Sequence, residues 1–165
     1  MLVFRKIAMG TALLALLGSA QLTLAGQGKT ADAKSVERGR YLVQIGGCND
    51  CHTSGYALGA GKVAEEQWLT GDQLGWKGPW GTTYPANLRN FAAQMSEKQW
   101  IRFAQAAETR PPMPWYDLRA MSKEDLRAIY RYLKASGPRG EKAPAYLPPG
   151  AEPAGPYVLF PQPPK

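Results

Sequence analysis

The chain has 165 residues, a formal net charge of +7, two cysteines and one histidine. That length suits one small domain with excess chain at its ends. Two thiols and one imidazole are too few for a four-ligand structural zinc site, and no basic run interleaved with aromatics suggests nucleic-acid binding. Arg5 and Lys6 supply two of the positive charges, leaving +5 without them. Such a surplus would steer the protein toward an acidic partner surface or serve only as a solvated basic surface.

Arg5 and Lys6 precede an apolar run from Ile7 to Leu17 that continues weakly to Leu24, with small residues at Ala20 and Ala25. This is the layout of a secretory signal peptide. Residues 1–25 are expected to be removed after Ala25 or Ala20, and the mature protein to be periplasmic. The competing reading is an uncleaved anchor, because a run of about 20 residues can span a bilayer. Thr11, Ser19, Gln21 and Thr23 weaken that run.

From Ser35 to Ile45 the spacing of Val36, Gly39 and Val43 predicts a helix, with Ser35 as N-cap and Gly46-Gly47 as its end. Glycine inside a helix costs about 1 kcal/mol against alanine, so Gly39 implies close approach of a second helix. The helix leads into Cys48-Asn49-Asp50-Cys51-His52. Cys-x-x-Cys-His is the spacing that attaches a c-type haem. The thiols of Cys48 and Cys51 would reach its two vinyl groups, and His52 would supply the proximal nitrogen to iron. A thioredoxin-like pair would need a βαβ pattern that is absent, and a plain disulfide would not call for the histidine. Export supports this reading, since haem is fitted to such thiols outside the bacterial cytoplasm.

Thr53 to Arg89 is rich in glycine and aromatics without a sustained period, and reads as irregular chain wrapped around a flat apolar group. Trp76, Trp80 and Asn87 are candidate donors to the haem propionates, although core-filling is the commoner use of tryptophan. Ser96 with Gln99 forms a capping box that starts a helix with Trp100, Phe103, Ala104 and Ala107 on its apolar face, ending before Pro111. Ser122 starts another, with Leu126, Ile129, Tyr130 and Leu133 as its stripe and Gly137-Pro138 as its stop. Tyr130 or Tyr132 would pack into the notch at Gly39. Residues 138–165 hold nine of the fourteen prolines and no period, which predicts an extended tail lying along the domain or covering a partner-facing surface.

With no second histidine, the best far-side ligand to iron is a methionine thioether. Met95 and Met121 each stand one residue before an N-cap and have packing roles. Met113, in Arg110-Pro111-Pro112-Met113-Pro114-Trp115, sits in a loop stiffened by prolines, so it is the preferred ligand, with Met121 or an open site as alternatives. A peroxidase or gas sensor would use an open site, but no histidine remains as distal acid or base.

The sequence resembles the class I cytochrome c family, including the haem domains of cytochrome subunits of bacterial dehydrogenases. The matching pieces are Gly39-Arg40-Tyr41-Leu42, Cys48-Asn49-Asp50-Cys51-His52-Thr53, Pro85-Ala86-Asn87-Leu88, Met113-Pro114-Trp115, Asp125-Leu126 and Ala128-Ile129-Tyr130-Arg131-Tyr132-Leu133. The resemblance implies an all-α fold over residues 30–137, in which first and last helices cross around one covalent haem c with His52 and Met113 axial. It implies single-electron transfer without substrate chemistry, either as a periplasmic carrier between a dehydrogenase or quinol-oxidising complex and a terminal acceptor, or as a haem protein tightly bound to one dehydrogenase. Many relatives place a proline soon after the haem motif to orient the proximal histidine. Thr53 to Lys77 contains none, so the acceptor for the second nitrogen of His52 is not given.

Overall fold

The computed structural model describes residues 32–161. The expected leader, residues 1–25, lies outside them. The chain divides into residues 1–34 and a unit formed by residues 35–165, and the fold is that of the second. It is mostly helical, with one small three-stranded sheet. No helix among the described residues is long and apolar enough to cross a membrane.

Helix α1 covers residues 32–45. Ser35 was expected to cap it, yet the helix already includes Asp32, because Ala33 and Lys34 are strong helix formers that extend it past the serine. Gly46 and Gly47 end it as expected, with Gly47 in the left-handed region at φ +66°. The short helix α2 (Cys48–His52) follows at once.

The last long helix, α6 (Lys123–Ser136), crosses α1 at Gly39. A Cβ built on Gly39 would lie 2.0 Å from the Ala128 carbonyl oxygen and 2.8 Å from Tyr132 Cβ. The glycine is therefore the contact itself, and Tyr132 is the residue that fills the notch. Arg38 pairs with Asp125 at 3.0 Å beside the crossing.

Between these helices lie α3 (Leu88–Ala93), α4 (Glu97–Ala106) and α5 (Trp115–Ala120). Ser96 caps α4 with the full reciprocal box to Gln99, and Ser122 caps α6 by accepting from the Asp125 N–H. Trp100 Nε1 donates to the Leu126 carbonyl at 2.8 Å, and Glu97 meets Arg127 and Arg131, which ties α4 to α6. The core comprises Leu42, Val43, Trp68, Leu69, Trp100, Leu126, Ile129 and Leu133, all buried. Each such leucine contributes about 2 kcal/mol of burial free energy.

The sheet was not expected. Strands β1 (Gly75–Gly78) and β2 (Gly81–Thr83) form an antiparallel hairpin in the segment read as irregular. Strand β3 (Tyr157–Leu159), from the proline-rich tail, pairs in parallel with β1. Leu147 adds a bridge to the other edge, exchanging both backbone hydrogen bonds with Thr82. The tail thus clasps the hairpin from both sides. Phe160 packs its ring against Trp76 and Trp80, and Lys77 pairs with Glu152.

Candidate functional site

Helix α2 places Cys48 one turn from both Cys51 and His52, since residues three and four apart share a helix face. Its far end is fixed by the chain that follows Trp68. Thr53 Oγ1 donates to Asn49 Oδ1 and accepts from the Leu69 N–H, and the Gly71 N–H donates to the His52 carbonyl. His52 is buried, with Nδ1 2.7 Å from the Ala86 carbonyl oxygen. A carbonyl only accepts, so Nδ1 carries the proton and Nε2 keeps its lone pair for a metal. Burial pushes the imidazole pKa down, toward the neutral ring a metal requires, and the bond to Ala86 only partly opposes it.

The missing orienter of His52 is therefore Ala86, in the Pro85-Ala86-Asn87-Leu88 piece and 34 residues away. Sequence distance hid it, because the carbonyl is delivered by the segment entering α3 and not by the loop after the motif. Asn87 holds that segment: its side chain caps α3 by accepting from the Asn90 N–H, and its Nδ2 donates to the carbonyls of Arg139 and Glu141.

Cys48, Cys51, His52 and Met113 all line one cavity of about 310 Å³. Its other walls are mainly apolar, from Val43 on α1, Phe91 on α3, Trp100 and Phe103 on α4, Trp115 and Leu118 on α5, and Ile129 and Leu133 on α6, with Thr109 and Asp117 as polar exceptions. A second, more polar lobe of about 240 Å³ shares Cys51, His52, Ala86, Thr109 and Met113 with the first. Both cysteines are free thiols. Burial raises the Cys48 pKa to about 11 and raises that of Cys51 as well, so both are protonated at neutral pH.

Three methionines were candidates for the far side of the metal. Met95 does not line the cavity; it packs against the core and its carbonyl accepts from Tyr130. Met121 lines the apolar lobe only, at the thiol end: its Cε and Cys48 Sγ lie 3.7 and 3.9 Å from the point a Gly46 Cβ would occupy. Met113 borders both lobes, as His52 does. Its loop is held by the hairpin, for Thr83 Oγ1 donates to the Pro111 carbonyl at 2.7 Å.

Comparison with known proteins finds relatives among the subunits of dehydrogenases. Over 139 residues the chain is 29% identical to the cytochrome c subunit of a quinone alcohol dehydrogenase from Gluconacetobacter polyoxogenes, covering 78% of this chain and 27% of that protein. The corresponding protein from Komagataeibacter europaeus matches to the same extent. One of the subunits of nicotinate dehydrogenase from Pseudomonas putida is 29% identical over 125 residues, 68% of this chain and 10% of that protein. The chain thus spans about a quarter or less of the length of these relatives. No protein-family model matches it, and no solved structure does.

The residues fit the haem that a cytochrome c resemblance implies. An apolar slot bordered by two protonated thiols, an imidazole with Nε2 free and a thioether suits a flat ring carrying iron. A further sign is Trp76 Nε1, a buried donor without a hydrogen-bond partner among the described residues, on a side chain that lines the polar lobe. The other two propionate-donor candidates are corrected. Trp80 Nε1 donates to the Trp76 carbonyl and Asn87 is spent on α3 and the tail, so neither lines the cavity. Sequence reasoning missed Arg110, Pro144 and Tyr146, which line the polar lobe. No local signal marks them, because the hairpin and tail bring them together only by long-range pairing.

Proposed function

We propose that the chain is a periplasmic haem c protein that carries single electrons for a dehydrogenase, held as its electron-transfer subunit. The observation that carries this reading is the meeting of Cys48, Cys51, His52 and Met113 on one apolar cavity, with the Nδ1 proton of His52 committed to Ala86. Covalently bound haem would supply exchange between Fe(III) and Fe(II). Cys48 and Cys51 would fix it by thioethers, and His52 through Nε2 and Met113 through its sulfur would hold the iron. The helices would exclude water from the ring, and the prolines around Met113 would stiffen the loop that holds its sulfur.

The relatives named as components of dehydrogenases favour a tightly held form over a freely diffusing carrier. Co-elution with a larger enzyme in native purification supports that form, and a persistent monomer supports the diffusible one. Haem staining on a denaturing gel, with the mass of the exported protein, tests the covalent cofactor. A colourless protein with the mass of the bare polypeptide ends the proposal. Met113→Ala is expected to abolish the ferric iron–thioether charge-transfer band and to open the reduced protein to carbon monoxide. Survival of the band would move the ligand to Met121.

A further inference from the structure

Haem carries two carboxylates, and the polar lobe offers them a specific end. Trp76 Nε1 is buried and unpaired there, although a buried N–H almost always has a partner. Arg110 is the only lining residue that is positively charged at neutral pH, and no aspartate or glutamate lines the lobe. The guanidinium carbon of Arg110 lies 3.9 Å from the ring centroid of Tyr146. The other cation–ring pairs of the described residues lie at 5.2 to 5.8 Å, so this stack is the tightest of them. A stacked guanidinium keeps its N–H edge available for a carboxylate. Tyr146 belongs to the tail and is held by its hydroxyl, which donates to the Trp80 carbonyl at 2.8 Å. The adjacent Leu147 is fixed to Thr82.

We propose that Trp76 and Arg110 form a carboxylate-binding subsite for a propionate of the haem, and that Tyr146, carried by the proline-rich tail, is the positioning residue that sets Arg110. The inference rests on the haem reading above. It gives the tail a function: the segment after α6 is a wall of the cofactor site, clasped to the hairpin so that its tyrosine meets an arginine from the loop before Met113.

The test uses the haem-loaded exported protein and measures midpoint potential against pH, with visible spectra checking that iron ligation is intact. The titratable or charged groups facing the lobe are Cys51, His52, Tyr84, Arg110 and Tyr146, and Asp50 and Asp72 act electrostatically on Cys51. The variants leave the acidic groups and the iron ligands unchanged. Arg110→Gln removes a positive charge beside the propionate, which lowers the potential. It also moves the pH-dependent segment upward by about 1 unit or more, because an ionised carboxylate loses its cation. Trp76→Phe moves the segment the same way by less, and Arg110→Lys restores part of the shift. Tyr146→Leu reproduces the direction of Arg110→Gln, while Tyr146→Phe, which keeps the ring, stays near the parent. Unchanged profiles in Arg110→Gln and Trp76→Phe, in proteins that retain haem, overturn this inference alone. A parent without covalent haem overturns the functional reading and this inference together. A parent potential that moves with added phosphate at constant ionic strength assigns the lobe to a free anion and overturns the propionate assignment.

Discussion

The two lobes of the cavity are built by opposite means. The apolar lobe is walled by helices whose starts, stops and buried faces are written in residues three or four apart. The polar lobe is walled by a hairpin of four- and three-residue strands and by a tail some seventy residues later in the chain. The difference teaches where each part of the cavity comes from: the helices supply the buried core, and the hairpin with its tail supplies the unpaired Trp76 donor and the Tyr146 ring that stacks on Arg110.

Substitution at the helix crossing breaks the first half of that comparison with the largest expected effect. In an isolated helix, Gly39→Ala would stabilise by about 1 kcal/mol. Here the added Cβ would sit 2.0 Å from the Ala128 carbonyl oxygen, a backbone atom that moves only with α6. Overpacking of this kind costs about 3 kcal/mol, so the sign reverses and the net change is destabilising by about 2 kcal/mol. Urea unfolding followed by helical circular dichroism measures it, and a stabilised variant would show that the helices do not cross at this residue.

The same contrast explains what could be read from the sequence. Ser96 with Gln99 and Ser122 were legible because an N-cap is a local hydrogen bond between residues three apart. Gly39 was legible because a glycine in a periodic helix needs a reason. The hairpin was not: its two-residue connection is Pro79-Trp80, without the Asn-Gly or Asp-Gly signal of tight turns. Strand β3 depends on β1 for every ladder bond and shows no period of its own. The Ala86 acceptor of His52 and the Tyr146 stack on Arg110 are likewise contacts across long stretches of chain. Arg89 belongs with them, buried and donating to the Glu66 carbonyl and to those of Ser136 and Gly137 at the end of α6. Of the site, Cys48, Cys51 and His52 were suggested by a motif, Met113 by its proline-rich loop and Trp76 by its ring N–H, whereas Ala86, Arg110 and Tyr146 required the fold.

The second half of the comparison is sharpened at Phe160, whose ring lies 5.9 Å from Trp76 and 5.2 Å from Trp80. Phe160→Ala removes two aromatic contacts at the half-buried end of the sheet, for a global loss of about 1 kcal/mol or less. Hydrogen exchange is the more telling measurement. The amides of Thr82, Leu147 and Phe160, which bond across the tail and hairpin, are expected to lose protection while amides of α4 and α6 keep theirs. Equal loss in both sets would mean that the tail and the helices open as one unit.

The smallest effect lies between α4 and α6, at Glu97. Burial acts to raise its carboxyl pKa, but hydrogen bonds from Arg127 and Arg131 outweigh it and hold the group below the ordinary carboxylate value. A depressed folded-state pKa means that the unfolded chain binds the proton first, so the pair stabilises fully above the unfolded value of about 4.3. That contribution fades as pH falls toward the lower folded value. Because Glu97 is about a third exposed, solvent screening limits its contribution to about 0.5 kcal/mol. Comparing urea midpoints of the parent and Glu97→Gln at neutral pH and again below pH 4 isolates the pair: the gap is expected to be constant above about pH 5 and to narrow on acidification. A gap that widened in acid would reverse the sign and remove the arginine pair as the cause. Alongside the loss at Gly39, this small term ranks the two supports of α6: its crossing with α1 rests on shape, and charge only trims its seat against α4.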